Sequence, residues 1–196
     1  MPQVQAKNGL ASQLAEVCLP EAISAAPTRV GGLWTERPLV LVHLRHFGCL
    51  FCRAHLTRLR DYHQRIDRRG GRVVAIGTGD LEYGRQIQAE MRFTFPLLVD
   101  EALQTYGAVE AGRGHLTDWA LPGVMRAGEL AAAETGVRHG PPGKHMSVLG
   151  ATHVIYPGGS VPFAWLNSDF SEDAPLERVL GELLCTPLIP PLRPGR

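Results

Sequence analysis

The sequence predicts an α/β fold with a central mixed β-sheet flanked by helices. Three short apolar runs, 39–44, 72–76 and 95–99, are each followed by a more polar segment of helical character. This alternation is typical of parallel strands joined by right-handed helical crossovers. Nearer the C-terminus, two further runs flank the turn sequence Pro157-Gly158-Gly159-Ser160, which indicates an antiparallel hairpin.

Length and composition restrict the class of protein. The 196 residues fit one domain with a sizeable core. The 20 Lys and Arg residues nearly balance the 19 Asp and Glu residues, so no charge pattern points to nucleic acid or an anionic membrane. No apolar run approaches the roughly 18 residues of a transmembrane helix. Residues 1–7 lack the features of a signal peptide, and we expect a cytoplasmic, reducing location.

The chain is expected to have three parts. Residues 1–37 are weakly patterned and form an N-terminal extension packed on the domain, in which Asn8 is placed to cap a short helix. Residues 38–185 form the main domain. Residues 186–196 are rich in proline and are expected to be an extended tail.

The helix after the first predicted strand has the clearest periodicity in the chain. Its inward face steps by three and four residues, and Gly70-Gly71 ends it. That face comprises Phe51, His55, Leu59, Tyr62 and Ile66. Asp80 is expected to cap the next helix, and Asp100 to cap a short helix that carries Leu103 and Tyr106.

Residues 107–150 differ from the segments around them, because glycine and charged residues alternate there. We predict an insertion with helical pieces near 119–125 and 129–135. The Gly- and Pro-rich residues 139–144 are expected to form a loop, either solvated or closing over the site as a lid.

The insertion is followed by the predicted hairpin, with strands over 152–156 and 161–165. Pro162 cannot donate a ladder hydrogen bond and therefore marks the second strand as an edge strand. Asp173 is expected to cap the last helix, which turns Leu176 and Val179 inward.

The first apolar run leads directly into the pair Cys49 and Cys52, spaced Cys-x-x-Cys. These positions share one face of a helix, so both sulfurs can meet at its first turn. Unpaired N–H groups and the helix dipole favour a negative group there. The neighbouring Arg45, Arg53 and His46 add to this effect, so Cys49 is the candidate thiolate nucleophile.

Other interpretations of these residues stay open. Two small buried cysteines can simply fill a core turn. A zinc site completed by His46 and His55 is a second alternative, although structural zinc sites commonly use two cysteine pairs. Cys18 and Cys185 stand alone near the chain ends, and no function is assigned to them.

The element order and the stretch Arg45-His46-Phe47-Gly48-Cys49-Leu50-Phe51-Cys52 resemble the peroxiredoxin-like AhpC/TSA-type antioxidant family, which has a thioredoxin-like fold. Members of that family carry an Arg-x-x-Gly-Cys-x-x-Cys-type turn, in which Gly48 would be the glycine. Val99-Asp100, Tyr106-Gly107 and residues 155–159 also match the family pattern. The resemblance covers about residues 38–185, with the insertion placed before the C-terminal hairpin.

Two features depart from related proteins. Thioredoxins carry a proline before the strand that faces the Cys-x-x-Cys, whereas residues 148–152 contain none. Typical peroxiredoxins have a threonine three residues before the reactive cysteine, where this chain has His46, a candidate proton donor. The missing proline favours small substrates over protein disulfides, with access to the cysteines beside Ala151 and Thr152.

The resemblance implies a thiol-dependent oxidoreductase whose substrate is a peroxide or a small organic O–O compound such as an endoperoxide. Cys49 attacks the distal oxygen and becomes a sulfenate, and Cys52 closes a disulfide with it. An external thiol reductant, thioredoxin-like or of low molecular weight, then restores the pair. No cofactor or metal is implied. A protein thiol–disulfide oxidoreductase and a non-catalytic redox sensor or binding module are the alternatives, and a homodimer is left open.

Overall fold

The structure is a computed structural model that describes residues 9–183. The predictions for Asn8, Cys185 and the tail 186–196 concern residues outside this range. In chain order the helices and strands are α1 (Leu10–Ala15), β1 (Cys18–Pro20), β2 (Pro27–Arg29), β3 (Leu39–His43), α2 (Leu50–Arg68), β4 (Arg72–Gly77), α3 (Leu81–Met91), β5 (Leu97–Val99), α4 (Pro122–Thr135), β6 (Ala151–Ile155), β7 (Phe163–Leu166) and α5 (Leu176–Glu182).

The main sheet has five strands in the order β5-β4-β3-β6-β7. The strands β3, β4 and β5 are parallel, and β6 and β7 add to β3 as an antiparallel hairpin. The predicted mixed α/β fold is therefore confirmed, and β7 is an edge strand as the position of Pro162 indicates.

The central strand β3 is covered on both faces, so all five of its residues are buried. Successive side chains point to opposite faces of a strand. Val40 and Val42 accordingly belong to one core cluster with α2 and α5, whereas Leu39 and Leu41 belong to a second cluster with α1. The sheet thus holds the C-terminal end of β3 rigidly between two cores.

The long helix α2 has the inward face that its periodicity predicts. Phe51, His55, Leu59 and Ile66 are buried, and Tyr62 is partly buried against the same core. Its outer face carries ion pairs to later elements, between Arg58 and Glu134 and between Arg65 and Glu177. Gly70, with φ of +76°, then turns the chain towards β4.

The segment after β5 is a series of turns, so the prediction of a short helix carrying Leu103 and Tyr106 is wrong. The Asp100 carboxylate still accepts hydrogen bonds from the backbone N–H groups of Gln104 and Thr105, each at 2.8 Å. Leu103, however, has a φ of +58°, and a left-handed residue stops a right-handed helix from propagating. The Asp100 carboxylate therefore accepts the backbone hydrogen bonds of a capping residue, although no helix follows it.

The insertion contains a short 3₁₀ helix, Leu116–Ala120, and one continuous helix, α4, where two pieces were predicted. Pro122 opens α4 and Gly136, with φ of +71°, ends it. The helix packs across α2. None of the helices within 9–183 combines the length and apolarity required to cross a membrane.

The described part of the N-terminal extension contains a hairpin that the sequence did not indicate. β1 and β2 pair with each other, and the Ala22 N–H donates to the Leu97 carbonyl at 2.8 Å. The hairpin therefore continues beside β5. In α1, Leu10 and Leu14 are buried.

His43 ends β3 as a buried histidine with a hydrogen-bond partner. Its Nε2 lies 3.1 Å from Thr105 Oγ1, and its ring meets Tyr106 and His153 edge-on at centroid distances of 5.1 and 6.4 Å. Burial, followed by the charge of His153, holds the pKa of His43 well below its usual value. The ring is therefore neutral in the folded protein at neutral pH.

Acidification should destabilise the fold through His43. The unfolded chain binds a proton at this ring below about pH 6.5, and the folded chain does not, so stability falls as the pH falls. Between pH 7.5 and 5.5 this one group accounts for about 1.4 kcal/mol. Urea unfolding of the wild type and of His43→Gln at both pH values measures this contribution. An identical pH dependence in the two proteins would contradict it.

Candidate active site

Two hydroxyl groups hold the backbone of the turn formed by residues 44–48, between β3 and α2. Thr78 Oγ1 donates to the Arg45 carbonyl at 2.6 Å, and the Tyr106 hydroxyl donates to the Leu44 carbonyl. Both donors are buried. The backbone before the cysteines therefore has little freedom, which fixes where α2 begins.

Phe47 anchors the same turn through its ring, which is fully buried. A Cβ at Gly77 or Gly79 would overlap the ring, so these two glycines make room for it. Tyr83 meets the ring edge-on at 5.7 Å. The segment from Gly77 to Gly79 therefore supports the cysteine turn.

Cys49 is the N-cap of α2, and Cys52 lies in its first turn. Both are buried free thiols. Arg45 contacts both sulfurs: its Nη2 donates to Cys49 Sγ at 3.0 Å, and its backbone N–H donates to Cys52 Sγ at 3.2 Å. The structure thus brings together three of the residues that the sequence singles out.

The two thiols differ in acidity. Burial alone would raise the pKa of Cys49, but hydrogen bonding from Cys52 and the charge of Arg45 hold that pKa well below the usual value. Burial, hydrogen bonding to Cys49 and the negative charge on Cys49 raise the pKa of Cys52 well above the usual value. Cys49 is therefore the more acidic thiol of the pair, and a single negative charge resides on Cys49 in preference to Cys52.

The Arg45 guanidinium has unused hydrogen-bonding capacity. The residue is fully buried, and its Cζ lies 5.6 Å from the Phe51 ring centroid and 5.9 Å from that of Phe170. Within the described residues, Nε and Nη1 have no hydrogen-bond partner. One of its nitrogens thus contacts the thiolate while two others are available to a ligand.

The carboxylate of Asp173, which was predicted to cap the last helix, interacts electrostatically with Arg45. The N-cap of α5 is Pro175, so the predicted role of Asp173 as its cap is wrong. Asp173 Oδ2 instead lies 3.8 Å from His55 Nδ1. Burial would lower the pKa of Arg45, but the charges of Cys52, Cys49 and Asp173 raise it. Asp173 therefore belongs to the electrostatic environment of the cysteine pair.

His46 is buried, and it lies close enough to Cys49 for the two to interact electrostatically. Burial lowers the pKa of His46, although the charge of Cys49 raises it in part. A neutral imidazole beside the thiolate can donate a hydrogen bond but carries no charge. The Arg53 guanidinium pairs with Glu90 on α3, so its described ion pair is directed away from the sulfurs.

Residues 139–145 form a strap that crosses the cysteine turn. The Gly140 N–H donates to the Gly48 carbonyl at 2.9 Å, and the Tyr83 hydroxyl donates to the Pro141 carbonyl at 3.1 Å. A Cβ on Gly48 would overlap the Pro141 carbonyl, so only glycine lets the strap lie this close. The exposed fraction of Cys49 is 0 %.

The far end of the strap is held by Glu101. Its carboxylate forms an ion pair with Lys144, and its backbone carbonyl lies 2.9 Å from His145 Nε2. The ion pair is exposed, and such pairs contribute little stability. The strap is therefore closed over the cysteines by a few weak polar contacts.

Ala151 and Thr152, the predicted access residues, lie at the start of β6 near the cysteine turn but are closed to solvent. Ala151 is 1 % exposed and Thr152 is 2 % exposed. Ala151 pairs with His43 on one side and with Leu166 on the other. In this structure neither residue offers an entry path or a free strand edge.

The zinc alternative requires a group of ligands around one point. Among residues 9–183, no three or more His, Cys, Asp or Glu side chains are arranged to hold a metal ion. Cys18, the lone cysteine near the N-terminus, is exposed.

Comparison with known proteins relates residues 58–169 to the family model of the AhpC/TSA antioxidant enzymes. The matched residues cover more than half of the chain and begin after the cysteine pair. The structure superposes on that of peroxidoxin BcpB from Mycobacterium tuberculosis with a TM-score of 0.61. That alignment covers 94% of this chain and 97% of the other at 21% identity. The fold is therefore thioredoxin-like, as the sequence predicts.

Two curated relatives are similar in sequence. The prostamide/prostaglandin F synthase of Bos taurus is 26% identical over 168 residues, which span 84% of this chain and 83% of the relative. The chloroplastic thioredoxin-like protein AAED1 of Arabidopsis thaliana is 28% identical over 81 residues, 41% of this chain. The second match spans only 33% of the Arabidopsis protein.

Proposed function

The chain belongs to the AhpC/TSA antioxidant enzyme family and is a peroxiredoxin-like thiol oxidoreductase, and from this premise we propose that it reduces peroxides or small organic O–O substrates with Cys49 and Cys52. Cys49 is the nucleophile and Cys52 the resolving thiol. An external thiol, either a thioredoxin-like protein or a low-molecular-weight thiol, regenerates the pair.

One observation carries this proposal: a buried guanidinium that contacts the nucleophile and keeps two donors unused. Arg45 Nη2 lies 3.0 Å from Cys49 Sγ, and Nε and Nη1 have no partner within the described residues. A substrate oxygen placed on those donors would lie beside the sulfur. The same charge would stabilise the oxyanion that forms when the O–O bond breaks.

The reaction then follows from the protonation states of the two thiols. An endoperoxide would leave a sulfur–oxygen–carbon ester on Cys49, which Cys52 resolves by displacing the alcohol. With a hydroperoxide, the Cys49 thiolate attacks the terminal oxygen, the O–O bond breaks, and the alkoxide or hydroxide takes up a proton while Cys49 becomes a sulfenic acid. Cys52 attacks that sulfur, water leaves and a disulfide forms. Two electrons from the external thiol restore the starting state. We assign to His46, which interacts electrostatically with Cys49, the donation of a hydrogen bond to the departing oxygen.

An apolar cleft beside the turn supports an organic substrate. It has a volume of about 320 Å³ and lies between the start of α2 and α4, with Leu50, Phe51 and Trp119 in its walls. Leu50 directly follows the nucleophile in the chain. At the mouth, Met125 of α4 is 56% exposed, so an apolar group would gain contacts on entering the cleft.

The closed sheet edge argues against large protein substrates. A protein disulfide would have to dock by strand pairing beside Ala151, which is already paired on both sides. A small O–O compound needs only displacement of the strap. If the reduced protein reacts faster with a model disulfide than with an organic hydroperoxide, the protein-disulfide alternative takes the place of this proposal.

Replacing Cys52 with serine should trap the first product. After one equivalent of hydroperoxide, wild-type protein should lose the mass of two hydrogens as Cys49 and Cys52 join. Cys52→Ser should instead gain one oxygen at Cys49 and react with dimedone. Intact-mass analysis and peptide mapping measure both products. Cys18→Ser is the control and should behave as the wild type. Absence of any oxidation at Cys49 would refute the proposed function.

A further inference from the structure

The apolar cleft beside the cysteine turn borders the reactive site through three of its lining residues. Leu50 lines the cleft and directly follows Cys49 in the chain. The Phe51 ring also lines it, and Arg45 Cζ lies 5.6 Å from the centroid of that ring. The third residue, His139, is the first residue of the strap. Lifting the strap from the turn would therefore join the cleft to Cys49.

Stacked aromatic rings connect the cleft to the buried guanidinium. Trp119 lines the cleft, and its ring stacks on Phe51 at a centroid distance of 5.7 Å and on Phe170 at 4.8 Å. Phe51 and Phe170 are the same two rings that lie against the Arg45 guanidinium. A group held against Trp119 is therefore one aromatic side chain away from the guanidinium that contacts Cys49.

Gly128 of α4 provides space in the cleft. It is buried, it lines the cleft, and it lies on the helix that packs across α2. A Cβ at this position would lie 3.4 Å from Leu50 Cδ2 and 3.6 Å from Phe51 Cζ, which are ordinary van der Waals distances. Alanine would therefore fit, and it favours a helix more than glycine does, so helix packing does not require the glycine. A side chain longer than alanine would occupy the cleft.

The size and lining of the cleft indicate the kind of group that it accepts. Its volume of about 320 Å³ is roughly twice that of an engineered apolar cavity of about 150 Å³ that binds benzene. Val124, Met125 and Ala132 of α4 extend the apolar lining. An aromatic ring or a branched alkyl group would exchange water for apolar contacts on entering the cleft.

The charged side chains around the cleft disfavour an anionic substituent. Among the described residues that line it there is no lysine or arginine, and the exposed Glu129 contributes a carboxylate. Arg126, which pairs with Glu129 at 3.1 Å, is not one of the lining residues. A carboxylate in the cleft would lose water without gaining a cationic partner, and Glu129 would repel it.

We propose that this cleft is the specificity subsite of the enzyme, that it holds the uncharged apolar substituent of an organic hydroperoxide, and that Gly128 keeps it open. The inference rests on the proposed function and deepens it by naming the substrate class. The reaction at Cys49 is the one given above, and it needs no further reactant. Hydrogen peroxide has no substituent to place in the cleft, so it gains nothing from the subsite.

Filling the cleft should remove the advantage of an apolar hydroperoxide. In Gly128→Leu, the second-order rate constant for oxidation of Cys49 by cumene hydroperoxide should fall by about 10- to 30-fold, and that for hydrogen peroxide should stay within about twofold. Rapid mixing, acid quenching and mass analysis measure both constants. Gly123→Leu is the matched control, because Gly123 lies on the same helix and a Cβ there meets nothing within 4 Å.

Two outcomes of this experiment would overturn the inference. An unchanged rate with cumene hydroperoxide would show that the substituent does not enter the cleft. Equal losses with both peroxides would show that Gly128→Leu damages the packing of the cysteine turn and that the cleft selects no substrate.

A charge at the mouth of the cleft gives a second test that leaves the buried residues in place. The wild type should react at least about fivefold faster with cumene hydroperoxide than with its para-carboxylate, and Met125→Lys should abolish or reverse this preference. Met125 is 56% exposed, so the lysine is expected to be tolerated. Leu130→Lys is the matched control, because Leu130 is 54% exposed on the same helix and does not line the cleft. The same ratio of rates in Met125→Lys as in the wild type would contradict the assignment.

Binding to the cleft can also be measured without oxidation. Cumyl alcohol has the apolar group of cumene hydroperoxide but cannot oxidise a thiol. Saturation-transfer NMR should detect its phenyl protons on the wild type and on Gly123→Leu, with a weaker signal on Gly128→Leu. If peroxides leave Cys49 unoxidised but the alcohol binds in this way, the proposed reaction is wrong and the subsite stands. If peroxides oxidise Cys49 and the signal does not depend on Gly128, the subsite is wrong and the reaction stands.

Discussion

Replacing Arg45 with methionine will slow the alkylation of Cys49 by iodoacetamide at pH 7 by about 30-fold or more. An ordinary thiol with a pKa of about 8.5 is only about 3% thiolate at that pH. The Arg45 guanidinium is the positive charge that contacts the Cys49 sulfur. Without it, burial is opposed only by hydrogen bonding, so the pKa of Cys49 rises.

The variant is expected to fold. Methionine is flexible and apolar, and the buried guanidinium that it replaces has two nitrogens without a partner among the described residues. Because Cys49 becomes neutral in the variant, no unpaired thiolate is left in the core. The alkylation rate of Cys52→Ser and of Arg45→Met/Cys52→Ser, measured against pH, gives the pKa directly. Arg53→Met in the Cys52→Ser background is the matched control, because Arg53 pairs with Glu90. An equal shift in both arginine variants would refute the assignment to Arg45.

Replacing Gly48 with alanine will displace the strap and lower the free energy of unfolding by about 1–3 kcal/mol. The new methyl group would overlap the Pro141 carbonyl, which is backbone and cannot rotate aside. The weakly anchored strap should move more readily than the turn, which is fixed by Thr78 and Tyr106. Cys49 should then react about tenfold faster with a bulky maleimide. This tenfold change corresponds to a loss of about 1.4 kcal/mol in the free energy that keeps the strap closed.

Trypsin provides an independent measure of the same change. Trypsin cleaves after Arg138, which precedes the strap, and after Lys144, which lies within it, and both peptide bonds should be cut faster in Gly48→Ala. Gly107→Ala is the control, since a Cβ there meets nothing within 4 Å. Unchanged cleavage together with an unchanged maleimide rate would show that the strap does not restrict access to Cys49.

The parts of the molecule that the sequence predicts well are those set by local pattern. The continuous apolar run of β3 and the three- and four-residue steps of α2 were enough to place Cys49 at a strand–helix junction. Asp80 is the N-cap of α3, and its carboxylate accepts from the Tyr83 N–H at 2.7 Å, as its position before the helix indicates. In each of these cases the interacting residues are neighbours in the chain.

The parts that the sequence does not predict depend on contacts between distant segments. Asp173 comes more than a hundred residues after Arg45, and a capping position was a sufficient local explanation for it. No local pattern in the sequence distinguishes Asp173 from an ordinary capping residue. Residues 139–144 were correctly predicted to form a loop, but only the folded chain shows Gly140 hydrogen-bonded to Gly48.

The opening of the strap sets an upper limit on the rate of turnover. With Cys49 fully covered, each encounter with a substrate must wait for residues 139–145 to lift, and such loop motions commonly take microseconds to milliseconds. Raising the substrate concentration accelerates turnover only until chemistry outpaces that motion. Beyond this point the rate reaches a plateau set by the strap contacts with Gly48, Tyr83 and Glu101, which lie outside the reacting atoms.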